Sequence, residues 1–105
     1  MGIYGKRYLY VMASEAGICR VSASTGPGAQ LNSLQLVSDY ALTVIETVQV
    51  PVGTANKVKA RTMELLKGAR VFGEWFKVPP ETAVVALRLA MAEIAGRSTR
   101  GQANE

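Results

Sequence analysis

The chain has 105 residues, 49% hydrophobic and 19% charged, with a formal net charge of +4. This length and composition predict one globular domain and exclude a disordered or collagen-like chain. No apolar run approaches the roughly 20 residues that a membrane-spanning helix needs. The apolar stretch after Lys6 and Arg7 is interrupted early by Glu15, so we do not expect it to act as a secretory signal. We therefore expect a cytoplasmic protein with no membrane partner.

Cysteine and histidine usage excludes several kinds of site. Cys19 is the single cysteine and there is no histidine. An internal disulfide and a Cys/His zinc site are therefore impossible. The Ser-His-Asp and Cys-His arrangements are excluded as well. Catalysis would have to use tyrosine, lysine, arginine or carboxylates, and we expect Cys19 to be packed, not reactive.

The first half of the chain has the pattern of a β-hairpin, a short helix and a third strand. Aromatic and β-branched residues mark the strands, and Gly17 marks the hairpin turn. The predicted segments are, in chain order, strands at 8–12 and 18–21, a loop at 22–28, a helix at 29–36 and a strand at 40–50. Pro51 ends the third strand.

The second half predicts two helices around a compact aromatic segment. The first follows an N-cap at Gly53-Thr54 and ends at Gly68. The aromatic segment covers 71–78, and Pro80 opens the last helix. We expect an apolar face on the first of these helices and a buried stripe on the second; the residues are Val58, Met63, Leu65 and Leu66, then Val84, Leu87, Met91 and Ile94. The sequence thus predicts an α+β domain with a small, three-stranded, mainly antiparallel sheet and flanking helices. We expect an N-terminal extension at 1–7, the domain at 8–96 and a flexible tail at 97–105.

Gly73-Glu74-Trp75-Phe76 resembles the G-E-W-F signature of a small phage and bacterial branch of the GIY-YIG nuclease superfamily. In that branch a V-Y-V-I strand precedes a K-I-G-x-T strand, an R-L-x-x-L helix and a helix with E-x-x-x-H. Residues 9–12 are similar to the first strand, 20–24 stand at K-I-G-x-T, and 30–35 stand at R-L-x-x-L-Q. The resemblance covers roughly residues 8 to 90 and implies a GIY-YIG-like fold.

The resemblance also implies a degenerate active site. In the family, a glutamate-held metal ion activates water, and an arginine and tyrosines stabilise the phosphate. Tyr10 stands at the tyrosine position and Arg20 at the family lysine, but Gln30, Lys59 and Met63 replace the arginine, the acid and the histidine. Gln30 offers no charged clamp for phosphate. Lys59 would repel Mg²⁺, and Met63 transfers no proton.

Three functions remain open from the sequence. The first is a catalytically degenerate nuclease-like domain that binds DNA through a basic groove, using Arg20, Lys57, Arg61 and Arg70 and no cofactor. The second is an active Mg²⁺-dependent endonuclease whose carboxylate comes from Glu64 or Glu74. The third is a phage or mobile-element interaction module, for which the high apolar content suits a homo-oligomer.

The resemblance makes one structural prediction, and the residues themselves make two more, for the aromatic pair and for Glu74. Tyr10, Arg20 and Gln30 should lie within side-chain reach of one groove, although they come from two strands and a helix. Trp75 and Phe76 should anchor the last helix to the sheet, and Glu74 should be structural and pair with a backbone donor or a cation.

Overall fold

A computed structural model describes the backbone of residues 7–103 and the side chains of residues 7–96 other than Val52. The elements are, in chain order, β1 (Arg7–Ser14), β2 (Cys19–Ser24), α1 (Pro27–Val37), β3 (Leu42–Val50), α2 (Val52–Leu65), β4 (Arg70–Phe72), β5 (Trp75–Phe76) and α3 (Pro80–Ala103). A 3-10 turn at Lys67–Ala69 leads from α2 towards β4. This order confirms the predicted α+β class.

The strands form one antiparallel sheet in the order β3-β1-β2-β5-β4. β1 and β2 pair from Tyr8↔Ser24 to Ala13↔Cys19, across a turn in which Gly17 has a φ of +89°. That backbone region is one that glycine enters without steric cost, which explains the glycine in this turn. The predicted hairpin is therefore confirmed.

The sheet has five strands where the sequence predicts three. The additional strands are β4, of three residues, and β5, of two. Both come from the aromatic segment at 71–78 and its approach. Strands this short contain no alternating pattern of polar and apolar residues, and that pattern is the main sequence signal for a strand. The number of strands was for this reason underestimated.

One face of the sheet carries the larger apolar core. Leu9 and Val11 of β1 point to this face, where α2 and α3 pack. Phe76 and Leu87 are fully buried within it. The buried residues of this core are Leu9, Val11, Cys19, Val21, Val50, Ala55, Val58, Leu66, Phe76, Ala83, Ala86, Leu87 and Ala90. We call this side of the sheet the apolar face.

The opposite side, which we call the α1 face, has a smaller cluster. Tyr10, Met12 and Leu42 are buried there, and Leu31 and Leu34 of α1 pack against them. Trp75 also belongs to this cluster. Successive residues of a strand point to opposite sides of a sheet, so only Phe76 contributes to the core beneath α3. The expectation that Trp75 and Phe76 both anchor the last helix is therefore wrong for Trp75.

Several element boundaries differ from the sequence expectations. α2 begins at Val52 with Pro51 as its N-cap, so the predicted N-cap at Gly53-Thr54 lies inside the helix, where the Thr54 hydroxyl donates to the carbonyl of Pro51 at 2.9 Å. α3 continues to Ala103, through most of the stretch predicted as a flexible tail at 97–105. Arg7 already belongs to β1, and the rest of the predicted extension at 1–7 lies outside the described residues.

Cys19 is buried at the start of β2, and its thiol donates to the carbonyl oxygen of Val78 at 3.4 Å. Burial raises the pKa of this thiol, and the negative charge of Glu81 raises it further. A thiol that stays protonated is a poor nucleophile. The structure agrees with the prediction of a packed cysteine.

Candidate functional site

The hydroxyl of Tyr10 connects three elements on the α1 face. It donates to Oε1 of Gln30, on α1, at 2.6 Å and accepts from Nε of Arg20, on β2, at 3.0 Å. Tyr10 pairs with Ser22 and Met12 pairs with Arg20 across the β1–β2 ladder, so the Tyr10 and Arg20 side chains lie diagonally on one side of the sheet. These hydrogen bonds bring Tyr10, Arg20 and Gln30 together, as the resemblance predicts.

Glu74 extends this arrangement into an ion-paired network. Its carboxylate accepts from Nη2 of Arg20 at 2.8 Å and is also ion-paired with the ammonium of Lys59, on α2. The Ser22 hydroxyl is a further hydrogen-bond partner of the carboxylate. We call Tyr10, Gln30, Arg20, Ser22, Glu74 and Lys59 the polar network.

The position of Glu74 follows from a tight turn between β4 and β5. Gly73 and Glu74 are the two residues between the paired Phe72 and Trp75, and Gly73 has a φ of +51°. A glycine with positive φ at the first position of a two-residue hairpin loop is typical of a type II′ turn. The backbone carbonyl of Glu74 also accepts from the amide of Val21 at 3.1 Å, which holds the turn against β2.

Two opposing effects set the pKa of Glu74. Burial of the carboxyl group by itself would raise this pKa. The hydrogen bonds from Lys59 and Ser22, together with the charges of Arg20 and Lys59, outweigh burial and hold the pKa below its ordinary value. The side chain is 21% exposed, so solvent screens these interactions only in part. Glu74 is therefore a stable carboxylate that already faces two cations.

Arg20 joins the polar network to an aromatic ring. Its guanidinium carbon lies 5.8 Å from the centroid of the Trp75 ring, within the range of a cation–π interaction. Arg20 and Trp75 are cross-strand partners on β2 and β5. Arg20 is thus oriented by a hydroxyl, a carboxylate and an aromatic face at once.

The other predicted site residues lie outside the polar network. Met63 is one turn beyond Lys59 on α2, and it packs against the apolar core. Arg61 donates to Glu93 of α3 at 2.8 Å and to Glu64 at 3.4 Å. Glu93 raises the pKa of Arg61 through this hydrogen bond and its charge. Glu64 therefore belongs to a surface ion pair, away from Glu74.

The remaining two predicted binding residues are both exposed. Lys57 lies four residues before Arg61 on α2, so the two share a helix face. Arg70 begins β4, and its Nε donates to the carbonyl of Gly73 at 2.9 Å. Arg70 consequently lies on the same hairpin as Glu74.

The two carboxylates considered for an endonuclease, Glu74 and Glu64, have surroundings that do not favour a divalent metal ion. The described residues include no group of three or more histidine, cysteine, aspartate or glutamate side chains that could hold one. Mg²⁺ is bound through carboxylates, and here Glu74 is paired with Lys59 and Arg20 while Glu64 is paired with Arg61. We therefore derive no metal-dependent step.

A polar cavity adjoins the polar network at the start of α1. It has a volume of about 320 Å³ and is lined by Ser24, Thr25, Gly26, Ala29, Gln30 and Ser33. Gln30 is common to the cavity and the network. The predicted loop at 22–28 supplies half of this lining, although its first three residues belong to β2.

The ion pairs of Glu74 with Arg20 and Lys59 agree with the prediction that Glu74 pairs with a backbone donor or a cation, but sequence reasoning did not identify Lys59 as the partner. Lys59 and Glu74 are 15 positions apart and lie on a helix and a turn, so no local spacing connects them. A lysine at the position of the family acid was the available signal, because its charge requires a carboxylate when it is partly buried. The contact of Ser22 with Glu74 had no comparable signal.

Comparison with known proteins returned no relative: no family model, curated protein or solved structure matches the chain. Among the described residues, no helix is both long enough and apolar enough to cross a membrane.

Proposed function

We propose that this chain is a catalytically degenerate GIY-YIG nuclease-like domain that binds nucleic acid and does not cleave it. The observation that carries this proposal is the polar network, in which Lys59 and Arg20 neutralise Glu74. A metal ion at Glu74 would have to displace the ammonium of Lys59, which repels it. The network is also closed: within the described residues, no buried side-chain nitrogen or oxygen lacks a hydrogen-bond partner.

The distribution of charge supports nucleic acid as the ligand. Between 67 and 77, the chain has three cationic residues, Lys67, Arg70 and Lys77, and one carboxylate, Glu74. Arg20 and Lys59 reach the same carboxylate. This group of five cations and one anion has a surplus of four, equal to the formal net charge of the whole chain. We call the exposed part, Lys67, Arg70, Phe72 and Lys77, the hairpin surface.

The two helical candidates are less suited to phosphate. Arg61 shares its charge with Glu93 and Glu64, so binding phosphate would compete with two existing carboxylates. Lys57 is exposed like Lys67 and Arg70, but the cation that shares its helix face, Arg61, is already ion-paired. Lys67 and Arg70 are exposed, and the only described contact of the Arg70 side chain is with a backbone carbonyl. We therefore assign the larger share of binding to Lys67 and Arg70.

The test measures affinity for duplex DNA by fluorescence anisotropy over a range of salt concentrations. We expect non-specific dissociation constants of about 10⁻⁴–10⁻⁶ M at physiological salt. The double variant Lys67→Ala/Arg70→Ala should lower the slope of log affinity against log salt by up to about two. Lys57→Ala/Arg61→Ala is the matched control, since it removes the same charge, and its slope should fall by less.

Plasmid DNA incubated with Mg²⁺ or Mn²⁺ completes this test. Wild-type protein should leave the plasmid intact. Cleavage that Glu74→Gln or Glu64→Gln abolishes would instead establish the active endonuclease. Absence of binding at low ionic strength would exclude nucleic acid as the ligand.

One observation favours a second candidate function, an interaction module that forms a homo-oligomer. Leu36 and Val37 at the end of α1 are 87% and 83% exposed, and the nearby Tyr40 is also exposed. Contiguous exposed apolar residues of this kind mark association sites. Sedimentation velocity would show a concentration-dependent dimer that Leu36→Ser/Val37→Ser abolishes; a monomer at all concentrations would exclude this candidate.

A further inference from the structure

The β4–β5 hairpin displays an aromatic side chain beside its cations. Phe72 is 58% exposed. It is the cross-strand partner of Trp75, and the side chains of such partners lie on the same side of a hairpin with their Cβ atoms about 5 Å apart. A register shift separates Arg70, which pairs with Phe76, from Phe72, which pairs with Trp75. The Arg70 side chain nevertheless reaches the turn beside Phe72, because its Nε donates to the carbonyl of Gly73 at 2.9 Å. Lys67 lies in the 3-10 turn before this strand.

The rings of Trp75 and Phe72 differ in how accessible they are to a ligand. Trp75 packs in the cluster of the α1 face, and the Arg20 guanidinium lies over its ring. Phe72 belongs to neither described core cluster. The short type II′ turn fixes Phe72 against its partner strand, so that little ordering is needed when a flat ligand stacks on its ring.

We infer that the hairpin surface binds unpaired bases, so that the preferred ligand class is single-stranded nucleic acid. This inference rests on the proposed nucleic-acid binding. A base of a single strand stacks on the Phe72 ring, while Lys67 and Arg70 contact adjacent phosphates. Combining aromatic stacking with a basic surface is the general way in which proteins hold single strands. A base inside a duplex is already stacked and paired, so a duplex engages only the cations.

Trp75 provides a direct readout, because it is the single tryptophan of the chain. Its emission should change when a base stacks on the neighbouring Phe72. Oligothymidylate and oligouridylate are the single-stranded probes, and a duplex of the same length is the comparison. We expect at least one single-stranded probe to bind more tightly than the duplex and to quench Trp75, and the stronger of the two distinguishes DNA from RNA.

The decisive variant is Phe72→Ala. It should lower single-strand affinity about tenfold, the effect of losing one stacked base, and leave duplex affinity unchanged. Phe72→Tyr keeps an aromatic ring and should restore binding. Val71→Ala is the matched control, since Val71 is a similarly exposed neighbour on the same strand, and it should change neither affinity.

The outcomes separate this inference from the proposed function. Equal affinities for single strand and duplex, with no effect of Phe72→Ala, would overturn the inference and leave nucleic-acid binding in place. No binding to any probe at low ionic strength would overturn both. Thermal unfolding of Phe72→Ala near the wild-type temperature would show that a loss of affinity is not a loss of folding.

Discussion

The two faces of the sheet are built from the same strands but have different interiors. β1 directs Leu9 and Val11 to the apolar face and Tyr10 and Met12 to the α1 face. The apolar face is covered by two helices, and its core is almost entirely aliphatic. The α1 face is covered by one helix of 11 residues with no fully buried side chain.

As a result, the apolar face supplies most of the stability, and the α1 face holds the polar network. Burial of apolar surface, at roughly 25 cal/mol per Å², is concentrated beneath α2 and α3. The α1 face instead buries the tyrosine hydroxyl of the polar network, where hydrogen bonds fix direction and add only about 1 kcal/mol each. We therefore expect substitutions beneath α2 and α3 to cost more stability than substitutions beneath α1.

The largest expected effect is on stability, and it is measured by truncating one side chain on each face of the sheet, Phe76 and Leu34. Phe76→Ala leaves a cavity in the core of the apolar face and should lower the free energy of unfolding by about 3–5 kcal/mol. Leu34→Ala, on the partly buried side of α1, should cost about 1 kcal/mol. Urea denaturation gives both values. Equal losses would mean that the two faces contribute equally to stability.

A middle-sized effect is expected within the polar network. Glu74→Gln leaves the cations of Lys59 and Arg20 facing each other without a carboxylate, and should lower the free energy of unfolding by about 1–3 kcal/mol. Glu64→Gln is the control, because it removes an exposed carboxylate that is also ion-paired with an arginine. Such surface pairs contribute about 0–1 kcal/mol. A loss for Glu74→Gln no larger than that of the control would contradict a cooperative network.

The smallest expected effect is the pH dependence of the difference in unfolding free energy between wild type and Glu74→Gln. The pKa of Glu74 is lower in the folded state than in the unfolded chain, so its stabilisation is complete above the unfolded value of about 4.3. It is lost as the pH falls from there through the folded pKa. The stability gap between wild type and Glu74→Gln should therefore narrow in acid, whereas the deficit of Phe76→Ala should not follow this titration. A gap independent of pH would show that Glu74 acts by packing.

Local patterns in the sequence were sufficient to predict most of the elements. The β1–β2 hairpin, the three helices and the third strand all follow from turn residues and apolar spacing. The side of the sheet that Trp75 faces could not be predicted, since it depends on the register of a two-residue strand. The boundary of α3 was missed because its polar end resembles a tail.

The candidate site could be predicted in part, from the positions that the resemblance aligns and from the expected pairing of Glu74 with a cation. Tyr10, Arg20 and Gln30 were expected together, and hydrogen bonds join them. The pairing of Lys59 with Glu74 depends on how α2 crosses the end of β2, which is a tertiary property. The sequence also did not show that Arg70 lies on the β4–β5 hairpin while Arg61 pairs with Glu93 of α3, because both are basic residues in polar segments.

Because Cys19 is buried, the rate at which the chain's single thiol is alkylated reports how often the surrounding fold opens. A maleimide or iodoacetamide reagent needs an accessible thiolate. In the folded protein the Cys19 thiol is buried, and its raised pKa keeps it protonated. Alkylation should therefore proceed only through molecules in which β2 has separated from the segment at Val78. When reclosing is faster than alkylation, the labelling rate relative to the unfolded chain gives the equilibrium population of the open form. One mass measurement per time point would then report the opening free energy of the apolar face without denaturant.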